Sequence, residues 1–282
     1  MANPILNDKA LDQAAERAGW GKAASQSGPA TQTSNGPVWN PPVSDGPVTP
    51  WQVAREPMTV AGTATATGVL LVLLLVAAFF GWNAVTENSD GQVAFPGIAL
   101  IGVLVGFVAV IVSSIKPNLA RFLAPVYALA EGFFLGAISK TYNSVDRYEG
   151  IVVQAVGATL AVFAVMLFLY RTKVIKVTDR FRRTVIGATL GLMVFYGISM
   201  LIQLFTHKVP FFQNSSGIGI VFSLVAAGLA AMNLAIDFDF IERASASRQP
   251  KQLEWFAAMG LLVTLVWLYL ELLRLLSKLR DR

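Results

Sequence analysis

The sequence predicts an all-α membrane protein: a bundle of seven transmembrane helices behind a polar N-terminal tail. Composition is the first observation behind that prediction. The chain has 282 residues, 55% of them hydrophobic and only 14% charged, where a soluble domain carries about a quarter charged. The second is a recurrence of seven apolar stretches, at about 58–82, 94–115, 122–142, 150–170, 184–205, 216–241 and 254–275. Each is near or above the roughly 20 residues that a helix needs to cross a bilayer. The third is that these stretches are continuously apolar rather than alternating, which argues against membrane strands.

Residues 1–57 are rich in Pro, Gly, Ser, Asn and Gln. Such a segment buries too little apolar area to repay its ordering entropy, so it reads as a disordered cytoplasmic tail with a short helix near "DKALDQAAERA". It lacks the basic start and apolar run of a secretory signal. Trp20, Trp39 and Trp51 are candidate docking points there, although incidental placement is the simpler reading. The seven-helix domain is expected over 58–277, with a short basic tail at 278–282.

Lys and Arg in the short loops set the orientation. With the N-terminus inside, Arg55, Lys116, Arg121, Arg171, Lys173, Lys176, Arg180, Arg182, Arg183, Arg243, Arg248 and Lys251 all fall on the inner side. The outer loops hold Lys140, Arg147 and Lys208. The pI of about 9.6 is therefore mostly this bias, not a nucleic-acid surface. The expected location is the cell membrane, multi-pass, with a cytoplasmic N-terminus. One feature opposes the pattern: Arg274, Lys278, Arg280 and Arg282 lie outside if the seventh stretch crosses fully, as expected here.

Several function classes are excluded. There is no cysteine and one histidine, His207, so thiol chemistry and multi-histidine zinc sites fall away. A retinal protein needs a lysine within a span. The seventh stretch has none, and Lys278 lies beyond it. An aspartyl intramembrane protease needs two facing aspartates, whereas Asp237 and Asp239 diverge on one helix. No serine nucleophile stands beside a base, so no enzyme activity and no cofactor are expected. Glycines four apart (Gly102 and Gly106, Gly132 and Gly136, Gly187 and Gly191) predict close helix packing.

Acids within the spans are the candidate functional groups, because each is costly to place there. Asp237 is foremost. Asn233, Ala230, Ala226 and Ser223 continue its stripe along one helix face, and a small, polar face belongs against protein or water. Asp239 has an ion-pair spacing to Arg243 and reads as an interfacial acid. Glu254 opens the seventh helix and reads as a cap on that helix's dipole. Glu131 lies midway along "APVYALAEGFFLGAIS", with Tyr127 one turn earlier. An acid at that depth is either protonated or paired across helices. Glu271 stands three residues before Arg274, a local pairing, and shares a face with Thr264.

"APVYALAEGFFLGAIS", "NLAIDFDFIE" and "EWFAAMGLLVTLVWLYLELLRLL" resemble the Bax inhibitor-1 family, most of all its bacterial branch, over roughly 58–277. The resemblance implies seven helices with the last one central. It also implies a pH-sensitive calcium leak, in which an aspartate on the sixth helix and one on the seventh share a proton. The sixth-helix acid falls on Asp237, four positions before Ile241. The seventh-helix acid falls on Thr264, which cannot titrate, leaving Glu271 or Glu131 as possible substitutes. Ca²⁺ prefers oxygen ligands, so protons and Ca²⁺ would compete at Asp237, Glu131 or Glu271, aided by Asn233 and Thr264. The expected partners are the lipid bilayer, Ca²⁺ and protons. The second expectation is a non-transport regulator that binds a membrane protease or another membrane partner through the tail.

Overall fold

The computed structural model describes residues 56–87, 93–206 and 215–281. Most of the predicted tail, with its three tryptophans, lies outside the described residues, as does His207. The seven apolar stretches form seven helices: α1 (Val60–Asn83), α2 (Gly97–Ile115), α3 (Ala120–Asn143), α4 (Ile151–Arg171), α5 (Asp179–Thr206), α6 (Gly217–Ala246) and α7 (Leu253–Arg280). All seven are long and apolar enough to cross a membrane. A helix satisfies its own backbone, which is what allows a single segment to cross hydrocarbon. A two-residue antiparallel pairing of β1 (Thr86–Glu87) with β2 (Val93–Ala94) closes the first loop.

Local chemistry sets several helix starts. Thr59 caps α1 by accepting from Gly62 N (2.9 Å), and Ser216 caps α6 by accepting from Gly219 N (3.2 Å). Thr178 Oγ1 accepts from Phe181 N (3.2 Å) at the start of α5. Gly150 precedes α4 at φ 72°, a left-handed conformation that costs glycine nothing.

Helices α5, α6 and α7 extend about five residues past their predicted bounds, because the bundle supplies partners for the polar residues at their ends. The largest change is in α7. The expected basic tail begins at 278, but the helix continues through Arg280, and Lys278 lies inside it, only 2% exposed. Its ammonium donates to Gly219 O (3.0 Å) and Ser223 Oγ (2.7 Å). The argument against a Schiff-base lysine therefore rests on those bonds rather than on position. Arg280 donates to the carbonyls of Arg147 and Glu149 and to Gln154. α7 thus runs the length of the bundle, and of the cations that opposed the charge bias Arg274, Lys278 and Arg280 bond to groups of the protein itself.

α7 is the most buried helix, with 67% of its most apolar stretch enclosed against 17% for α5. It packs against α1, α3, α4 and α6, while α2 lies on α3. α7 buries Ala258, Leu262, Leu268 and Leu273 completely or nearly so, with buried polar groups such as Glu271 and Lys278 beside them. Large apolar side chains such as Phe79, Leu104 and Phe205 stand exposed on the bundle's outside, where lipid accepts them.

The glycine expectation holds in part. A Cβ on Gly136 would lie 1.9 Å from Ala78 O and one on Gly132 2.4 Å from Leu74 O, so α1 and α3 cross almost backbone to backbone. Gly81 closes the same crossing from the other helix, 2.0 Å from Phe133 O, and Gly102 brings α2 close to Ala130 of α3. Gly187 and Gly191 face open space, with nothing within 4 Å. Their spacing does not mark a contact.

Two outcomes follow. Gly136→Ala should destabilise the protein by about 1–3 kcal/mol through overpacking, whereas Gly191→Ala should leave it unchanged, read by thermal unfolding in detergent. At the end of α7, Asp281 accepts from Tyr148 (2.6 Å), Ser215 (3.0 Å) and Arg147 (3.2 Å). The Tyr148 hydroxyl chiefly holds its carboxyl below the usual range, with help from Ser215 and Arg147. A lowered folded value stabilises above the unfolded pKa of roughly 3.9 and is lost as pH falls through the folded one. Asp281→Asn should remove that acid-range component, below about 1 kcal/mol at a partly exposed position.

Candidate functional site

The stripe on α6 faces protein, as its composition predicts. Ser223, Ala226 and Ala230 are buried to 1% exposure or less. Asn233 Nδ2 donates to Thr189 Oγ1 of α5 (2.8 Å) and to Leu229 O (2.9 Å). Asp237 is partly buried overall, but its Oδ2 is sealed from solvent and has no hydrogen-bond partner. The side chain opposite it is Thr264 of α7, whose hydroxyl donates to Gly260 O of its own helix (3.3 Å). Sealed polar atoms without partners are rare because each costs free energy.

Two polar juxtapositions between α6 and α7 share one register. Ser223 and Asp237 are fourteen residues apart on α6, and the residues opposite them, Lys278 and Thr264, are fourteen apart on α7. At 1.5 Å per residue the two places stand roughly 21 Å apart along an antiparallel seam. Glu271 falls midway on α7.

Glu271 is held by a different set of groups. It is 2% exposed and accepts from Arg274 Nη1 (3.1 and 3.2 Å), Tyr196 of α5 (3.0 Å) and Trp267 Nε1 (3.3 Å). The predicted local pair with Arg274 is present, and it is buried rather than interfacial. Two turns of helix, roughly 10 Å, separate Glu271 from Thr264. It is not placed to share a proton with Asp237.

Glu131 is not placed there either. Its carboxylate turns toward α2, where a Cβ on Gly106 would lie 3.1 Å from Oε2. Tyr127 is buried one turn away, as expected. No ion pair to Glu131 is present among the described residues. Asp237 therefore stands as a single acid opposite a threonine, and the two-carboxylate switch has no second member at this position.

The two interfacial acids resolve differently. Asp239 pairs with Arg243, as its spacing predicts, and also with Arg182 of α5 (2.7 Å). Glu254, expected to cap its own helix, instead accepts from Thr59 N (2.9 Å) and Thr59 Oγ1 (3.0 Å) at the start of α1. A Cβ on Gly62 would strike that carboxylate at 2.1 Å, so glycine there makes room for the acid. Thr189, Arg182, Tyr196 and Trp267 were missed in the sequence. Tyr196 alone carried a signal, as a hydroxyl in the middle of an apolar stretch.

Among the described residues no three of His, Cys, Asp or Glu gather into a metal-binding group. Ca²⁺ takes six to eight oxygens, so Asp237 with Thr264 and Asn233 does not make a resident calcium site.

Seven apolar helices around a seam of buried polar groups define a multi-pass membrane protein. The chain belongs to the Bax inhibitor 1 like family, whose model matches residues 3–281. The match takes in the tail as well as the spans, more than the quoted motifs cover. No curated protein matches the chain significantly.

Arg274→Gln should cost about 3 kcal/mol, because it leaves Glu271 buried without its cation. Glu271→Gln combined with Arg274→Gln should cost less than the sum of the single changes, a coupling readable by a double-mutant cycle.

Proposed function

We propose that the protein is a pH-sensitive leak pathway for calcium or a similar cation in the cell membrane, with its N-terminus cytoplasmic and Asp237 as its titrating group. The observation that carries this reading is the sealed, unpartnered Oδ2 of Asp237 on the α6–α7 seam. Ionised, the carboxyl can only accept, and the Thr264 hydroxyl opposite is turned to Gly260 O. Protonated, it can donate, and the Thr264 oxygen can accept. Gain of a proton therefore lets α6 donate to α7 and removes a negative charge. A permeating cation would meet that charge only when it is present. The cation is cargo in this scheme, held by water and passing oxygens rather than by a cage. The inner-side excess of Lys and Arg supports the orientation.

The test uses liposomes loaded with a calcium dye. Wild type should leak Ca²⁺ with a steep pH dependence, and Asp237→Asn should flatten that dependence. Absence of leak at every pH, or a pH profile unchanged in Asp237→Asn, overturns the reading.

One observation favours the regulator reading beside it: the family match extends to residue 3, well outside the spans. On that reading the tail recruits a membrane partner, and deletion of residues 1–55 should abolish partner co-purification while leaving ion leak intact.

A further inference from the structure

We infer that a cleft between α1 and α4 binds one membrane phospholipid with an amine-bearing headgroup, its phosphate at Arg171, its ammonium at Glu242 and an acyl chain laid along α1.

The cleft has a volume of about 460 Å³. α1 forms one wall from Val60 to Leu71, α4 forms the other with Phe163 and Leu167, and α6 and α7 supply a floor at Phe238 and Leu261. Thr63 and Thr67 also line it, but their hydroxyls are spent on their own helix, at Thr59 O (3.0 Å) and Thr63 O (2.9 Å). The walls are thus apolar in effect, and an apolar cavity does not hold water stably.

Charge is confined to one end. Arg171 closes α4 there, beside Tyr170 and Glu242. Tyr170 donates to Glu242 Oε2 (2.5 Å), leaving the other carboxylate oxygen available. Arg171 makes no ion pair or side-chain hydrogen bond with any described residue. An exposed guanidinium beside an exposed carboxylate, at the mouth of an apolar cleft, complements a phosphate joined to a nearby ammonium.

The length fits the same ligand. From Val60 to Leu71 is roughly 16 Å along the helix axis, about half of the 30 Å hydrocarbon core. The cleft is therefore one leaflet deep, with its polar mouth at the helix ends where headgroups lie. This site is separate from Asp237, and the inference does not depend on the leak reading.

The test places the full chain in nanodiscs of equimolar phosphatidylethanolamine and phosphatidylglycerol, and counts retained lipid by native mass spectrometry. One phosphatidylethanolamine should be held per protein. Arg171→Gln should reduce its retention about tenfold, the worth of one charge-assisted bond. A Cβ on Gly68 meets nothing within 4 Å, and Gly68 lines the cleft, so Gly68→Phe should fill it and abolish retention without lowering the unfolding temperature. Lipid held without headgroup preference, or lipid still retained in a folded Gly68→Phe protein, overturns the inference. If Gly68→Phe does not fold, Arg171→Gln at its exposed position decides, and unchanged retention there overturns it equally.

Discussion

Enclosing α7 on nearly every side obliges each polar group it carries to find a partner inside the bundle, because water does not reach it and lipid offers nothing. The neighbours of α7 supply those partners in turn. Glu254 takes the first turn of α1. Tyr269 reaches Ser139 of α3 at 2.6 Å. Ser139 gives its own proton to Leu135 O, so Tyr269 is the donor in that pair. Glu271 draws in Tyr196 of α5, and Lys278 draws in Gly219 and Ser223 of α6. The polar content of one helix thereby fixes the position of four others.

The α6–α7 seam has an even rhythm of such contacts, and its members differ in kind. At the Lys278 end a cation rests on a carbonyl and a hydroxyl. In the middle Glu271 is neutralised by Arg274, a permanent cation at any ordinary pH. At the Asp237 end an acid faces only a hydroxyl. Opposite charges therefore meet in the middle of the seam and not at its Asp237 end. That asymmetry singles out Asp237 between the two acids of the seam, Asp237 and Glu271, independently of any family motif.

The number of helices was legible because hydrocarbon demands long apolar segments, and single sequences display those plainly. The stripe through Asn233 and Asp237 was legible for a similar reason: helical periodicity is local. Partners across helices were not. Nothing in the run "TDRFRR" announces that Arg182 meets Asp239, and Glu254 looks like an ordinary first-turn acid until Thr59 is seen beside it. Glycine spacing misled at Gly187 and Gly191, since a small face permits close approach without requiring it. Lys278 was placed outside the last span because hydropathy fades there, yet its buried bonds carry the helix onward.

The grip of Glu254 on Thr59 joins positions 195 residues apart, and it has a consequence for biogenesis. The first span enters the membrane well before the acceptor for its leading turn is made, 195 residues later. Met58, whose amide reaches Gln249 O at 2.7 Å, waits in the same way. A ribosome that stops before the seventh helix would leave the opening turn of the first one unfastened, so the first span is completed only once the seventh has been made.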